Sequence, residues 1–203
     1  MPLPTFATGE PMTAVAANTL ARQGIITVPT LLERDNLAGP HAGMVCYVED
    51  TQTYYHHGTG GWRVLYAAPR PYTPTLTNMT LGNGTLQAEW SQNGDIVHWW
   101  ARIVLGSTSS VAGLIYVRLP KPPARGVVAA TGGVLVGGVL CRDVSASGPG
   151  SRRTYDLISD YTASPQDAWS VSQLDGDGAR TTNPWTWATG DSLDFSGSYR
   201  VAD

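Results

Sequence analysis

Thr85 to Gln92 alternates strictly, with Leu86, Ala88 and Trp90 on one side, Thr85, Gln87, Glu89 and Ser91 on the other, and Asn93-Gly94 following at once. Such alternation marks a half-buried strand, and an Asn-Gly pair between two alternating runs is the strongest short-range hairpin signal. The return run sets Val97, Trp99, Ala101, Ile103 and Leu105 on one face and His98, Trp100 and Arg102 on the other. The chain is thereby committed to antiparallel sheet. Further strands are expected at Leu114 to Leu119, Val127 to Val136, Val139 to Arg142, Arg153 to Ser159, Ala168 to Leu174 and Leu193 to Val201. The last turns Leu193, Phe195, Tyr199 and Val201 inward and Asp194, Ser196, Ser198 and Arg200 outward. Seven or eight antiparallel strands at this spacing make a β-sandwich of the jelly-roll kind.

The region before this sandwich reads differently. Thr13 can cap a short helix from Pro11 that Gly24 ends, and a second helix is expected from Thr30 with Gly39-Pro40 as its stop. Three brief runs follow, Met44 to Val48, Thr53 to His57 and Trp62 to Leu65, separated by Glu49-Asp50 and by Gly58-Thr59-Gly60-Gly61, which is turn chemistry. The chain is thus expected to be mainly β. Residues 1–66 form a small module of short helices and a three-stranded meander, 67–77 a proline-rich linker, and 78–203 the sandwich.

The chain of 203 residues has room for one medium domain or two small ones. Only 14% of its residues are charged, against about 25% in an average soluble protein. Thr, Ser, Gly and Asn must cover much of the surface, or other subunits must hide it. No run approaches the ~20 apolar residues of a membrane span, and Met1-Pro-Leu-Pro lacks the cationic start and apolar core of a signal peptide. A net charge of −3 and a pI near 5.7 leave no electrostatic footprint for nucleic acid. Cys46 and Cys141 fall in different modules, and two isolated thiols are not a disulfide framework.

Motifs of known chemistry are missing from the sequence: no G-x-S-x-G, C-x-x-C or H-E-x-x-H, and Lys121, the only lysine, is followed by Pro122-Pro123 rather than set in a P-loop. No cofactor is expected, and no enzymatic activity. Gly132-Gly133 and Gly137-Gly138 suit bulged or closely approached strands. His56-His57 lie next to each other on a strand and point to opposite faces, so they cannot share an ion within one chain. Asp175-Gly176-Asp177-Gly178 begins like a calcium loop but lacks the later bidentate Glu, which leaves a hairpin tip. Asn78-Met79-Thr80 and Asn83-Gly84-Thr85 have the form of glycosylation sequons.

The aromatic residues point to a site. Trp90 and Trp99 fall on the inner faces, while Trp100 suits a second packed surface or a subunit contact. Trp185 and Trp187 sit in a loop before the last strand, with Asp191, Arg180 and the Asp175 and Asp177 hairpin close in sequence. An aromatic face for the apolar side of a sugar ring, with carboxylates nearby for its hydroxyls, makes this the candidate glycan site. The same aromatics could instead only close the end of the sandwich.

Thr8-Gly9-Glu10-Pro11-Met12-Thr13-Ala14 with Asn18 and Gln23, then Arg34-Asp35, Pro40, Gly43-Met44-Val45, Asp50-Thr51, Tyr54-Tyr55 and Gly61-Trp62, resembles the N-terminal module of minor tail and tail-fibre proteins of actinobacterial tailed phages. Tyr72-Thr73-Pro74-Thr75-Leu76, Leu81-Gly82-Asn83-Gly84-Thr85, Leu105-Gly106-Ser107-Thr108 and Pro184-Trp185-Thr186-Trp187-Ala188-Thr189-Gly190-Asp191 resemble their β-domain. The resemblance implies a non-enzymatic virion component on the tail or capsid exterior. It implies a homotrimer whose N-terminal module joins other virion proteins and whose sandwich attaches to a host-surface glycan. Related modules also decorate capsids and form head fibres, so a purely structural decoration protein is the alternative.

Overall fold

A computed structural model of the chain describes residues 24–124, 134–159, 167–171 and 178–201, with only the backbone course at 167–171. The helix expected from Pro11, Gly132-Gly133, and Asp175 and Asp177 lie outside the described residues. The chain divides into two compact units, Met1–Ala68 and Pro69–Asp203.

In the first unit β1 (Ile25–Val28) leads into α1 (Leu31–Asp35), and β2 (Val45–Val48), β3 (Thr53–Gly58) and β4 (Gly61–Pro71) follow. Thr30 caps α1 through a capping box: its Oγ1 accepts from Glu33 N at 3.3 Å, and Glu33 Oε2 accepts from Thr30 N at 3.2 Å. The helix ends early, at Asp35, because Asn36 leaves helical geometry and donates its N–H back to Leu32 and Arg34 carbonyls. β2, β3 and β4 form the expected antiparallel meander. The unforeseen element is β1, which pairs parallel with β2 through the crossover that α1 supplies. Val28, Cys46 and Val48 are buried at its centre, while Ile25, Leu32, Leu65 and Tyr66 are exposed.

The proline-rich stretch differs from the expected linker. Residues through Pro71 continue β4, and β5 (Leu76–Thr80) begins five residues later. Pro69 and Pro71 occupy alternate positions, so the missing N–H groups fall on one side of the strand and neighbouring residues keep their donors. Tyr72 N, just beyond, donates to Ala88 O at 3.1 Å.

The second unit adds β6 (Thr85–Asn93), β7 (Ile96–Val104), β8 (Ser110–Arg118), β9 (Val134–Arg142), β10 (Arg152–Ser159), β11 (Asp167–Val171) and β12 (Ser192–Arg200). Neighbours run in the order β6-β7-β12-β9-β10-β11-β8-β5, all antiparallel. One core holds Ile115 and Val117 of β8 and Met79 of β5 together with Ala88 of β6 and Val97, Trp99 and Ile103 of β7. Those strands stand at opposite ends of the order, so the sheet is folded over on itself as a sandwich. The hairpin loop is Gly94-Asp95, between paired Asn93 and Ile96, with Gly94 at φ +55°. Glycine at the first position of a two-residue loop matches the right-handed twist of the strands.

Where two strands were expected around Gly137-Gly138, there is one, β9, with a register irregularity against β10 at Leu157/Ile158. Gly137 (φ +154°) and Gly197 of β12 meet backbone to backbone. A Cβ on Gly197 would fall on Val136 O, and one on Gly137 on Ser196 O. Gly197 also pairs with Trp99, whose indole Nε1 donates to Val136 O at 3.2 Å.

The Leu81-Gly82-Asn83-Gly84 and Leu105-Gly106-Ser107-Thr108 motifs interlock. Asn83 Oδ1 accepts from Thr108 N and Oγ1, both at 2.9 Å, Asn83 Nδ2 donates to Ser107 Oγ at 3.1 Å, and Ser109 Oγ bonds Leu81 O. The second sequon-like triplet is therefore a loop clasp, and Asn78 Nδ2 of the first is held on Leu114 O at 2.8 Å.

Two predictions follow from this packing. Gly197→Ala is expected to lower stability by about 3 kcal/mol through overpacking against backbone, whereas Gly150→Ala, with nothing within 4 Å of its Cβ, stays near wild type in urea unfolding. Cys46 and Cys141 are free thiols buried in separate units. Burial, with Asp194 adding to it, pushes Cys141 from 9.0 up to about 12. A folded value above the unfolded one contributes stability that is intact below pH 9.0 and lost as pH rises toward about 12. The urea midpoint should fall over that interval, and Cys141→Ala should flatten its first part; an unchanged slope would refute the assignment.

Candidate functional site

The loop from Gly178 to Asp191 carries four of the six residues singled out in the sequence. It begins as a tight turn, with Arg180 N donating to Asn183 O at 2.9 Å and Asn183 N returning to Arg180 O at 3.2 Å. Asn183 Nδ2 ties it to Gly178 O at 3.0 Å, and the Tyr155 hydroxyl of β10 donates to Asn183 Oδ1 at 3.3 Å. The Asn183–Pro184 peptide is cis. Trp185 and Trp187 follow, their ring centroids 5.7 Å apart at 57°, both half-buried against the core.

The polar residues of the loop act inwardly. Asp191 is fully buried. Its Oδ2 accepts from Ala188 N at 2.9 Å and Trp185 Nε1 at 3.2 Å, and its Oδ1 accepts from Val144 N at 3.1 Å. Its backbone carbonyl accepts Leu105 N at 2.8 Å. Asp191 thus joins the end of β7, the segment after β9 and the tryptophan loop, and its carboxylate oxygens face protein donors rather than a ligand. Arg180 contributes its carbonyl, which accepts Trp187 Nε1 at 2.7 Å.

What the loop presents outward is narrower than the sequence suggested. Trp187 lines a cleft of about 480 Å³ against the Leu105 to Val111 loop, its rim set by the hydroxyls of Ser107, Ser110, Thr181, Thr186 and Thr189. An aromatic wall with short hydroxyl side chains offers ring stacking and two-way hydrogen bonding with little charge. Among the described residues, no three His, Cys, Asp or Glu side chains lie together as a metal site would require.

A second polar group escaped sequence reasoning. The outer faces of β6, β7 and β12 bring Glu89, Trp100 and Ser196 into one row and Ser91, His98 and Ser198 into the next. Each strand showed this polar alternation, but only the pairing register shows that the three faces are one surface. No protein-family model, curated protein or solved structure matches the chain.

Removing the buried acceptor gives a direct check on the loop. Asp191→Ala leaves three part-buried donors without their acceptor and should cost about 2 kcal/mol, while Asp194→Ala, which breaks only the exposed 3.4 Å pair with Arg102, should cost under about 1 kcal/mol. Equal losses in urea denaturation would show that Asp191 does not hold the loop.

Proposed function

We propose that the protein is a structural component of a tailed-phage virion, of the minor tail or tail-fibre type, which displays its β-sandwich to the host surface and binds a glycan there. The observation that carries the reading is the Trp187 cleft, an aromatic wall facing a rim of hydroxyls. Association through the N-terminal module, as a homotrimer and with other virion proteins, accounts for the exposed Ile25, Leu32, Leu65 and Tyr66 beside the small buried cluster of Val28, Cys46 and Val48. A module this small needs a partner or a staple to reach ordinary stability.

A second reading, a capsid decoration or head-fibre protein with a purely structural role, is favoured by one observation. Both tryptophan N–H groups and the Asp191 carboxylate are spent inside the loop, as closing the end of a sandwich requires. Calorimetry with host cell-wall polysaccharide fractions separates the two. The attachment reading expects saturable binding that Thr186→Arg, an exposed substitution at the cleft rim, weakens at least tenfold. Absence of saccharide binding in every fraction, with labelling spread over the head rather than the tail tip, would establish the decoration role instead.

A further inference from the structure

We infer that the outer face of β6, β7 and β12 is a second saccharide site, centred on Trp100 and built for a neutral hexopyranose chain. The inference shares the glycan chemistry of the proposed function but uses different residues.

Trp100 is 41% exposed in the middle of a sheet face whose inner side is core. Its indole Nε1 donates to Glu89 Oε2 at 3.2 Å across the strand pair, which locks the ring in place and leaves its π face as the outward feature. Polar atoms surround that face. Glu89 Oε1, His98 Nε2 and Ser196 Oγ have no partner among the described residues, while His98 Nδ1 is steadied by Ser198 Oγ at 2.7 Å. Ser91, Ser196 and Ser198 are short, so they leave a groove of about 580 Å³ beside the ring, within the roughly 300–1,000 Å³ of small-ligand sites.

Charge and spacing narrow the ligand. Arg102 and Asp194 neutralise one another at 3.4 Å on the row beyond Trp100, which leaves the Glu89 carboxylate as the uncompensated charge of the central row. An anionic ligand would be repelled, whereas a neutral sugar gives Glu89 hydroxyl donors and lays its C–H face on the indole. Neighbouring strands of a sheet stand about 4.8 Å apart, comparable to one sugar residue, so a chain crossing the strands meets Glu89, Trp100 and Ser196 in succession. A contact between copies is the competing use of this face. The centre of a protein interface is depleted of charged residues, and here Trp100 has Glu89, Arg102, Asp194 and His98 around it.

The test titrates the full chain with the neutral hexopyranose chains cellotetraose, mannotetraose and β-1,4-galactotetraose by calorimetry, comparing wild type with Trp100→Ala, Ser196→Arg and the cleft variant Thr186→Arg. The site is supported if one probe binds Thr186→Arg as it binds wild type, and both Trp100→Ala and Ser196→Arg weaken that binding about tenfold or more, the loss expected for one aromatic stacking contact. Binding abolished by Thr186→Arg alone would overturn this site and leave the Trp187 cleft standing. Loss in the sheet-face variants but not in Thr186→Arg would remove the cleft and keep this site. No binding of any probe to wild type overturns both. A change of assembly mass in light scattering for Trp100→Ala, with saccharide binding intact, would make the face a contact between copies.

Discussion

Two glycines bring two backbones within touching distance, and the second unit is arranged around that approach. Gly197 of β12 and Gly137 of β9 meet where any side chain would collide with Val136 O or Ser196 O. The β9 backbone fills the place where a side chain is missing, and Trp99, opposite Gly197 in the neighbouring strand, bonds Val136 O. The approach holds β12 between β7 and β9. From there the inward Leu193, Phe195 and Tyr199 join the common core and the outward Asp194, Ser196 and Ser198 join the polar face of β6 and β7.

Asp191 does the corresponding work at the start of the same strand. A buried carboxylate is costly unless its oxygens are bonded, and here three donors meet it, two from its own loop and one from the segment after β9. The consequence for function is a division of labour within one loop. Trp185 and Asp191 are spent on holding it, which leaves Trp187 and the threonine hydroxyls as its outward surface. The 105–109 turn supplies the opposite wall of the cleft, and its interlock with Leu81 and Asn83 braces that wall from behind.

Several local features were legible in advance because their causes are local. The helix start at Thr30 and the hairpin of β6 and β7 each follow from residue chemistry within a few positions, and Gly137 stood out as a glycine suited to a close approach although its partner, Gly197, is remote in sequence. Other elements were illegible for an equally physical reason. β1 is four residues long and acquires its identity only by pairing with β2. Pro69 and Pro71 look like a linker, and the boundary between the two compact units does fall at Ala68/Pro69, yet β4 continues through both prolines. Asp191 looked like a ligand carboxylate because its donors come in part from Val144, remote in sequence.

The sequence by itself determined that the chain is mainly β and which residues of β6, β7 and β12 face inward, because alternation and turn preference are properties of short segments. Tertiary structure alone decided which outward faces become neighbours. Glu89, Trp100 and Ser196 are separated along the chain and are joined only by antiparallel register across three strands. It also decided which polar groups are spent on the fold and which remain for a ligand, since burial and hydrogen bonding depend on partners that no local pattern encodes.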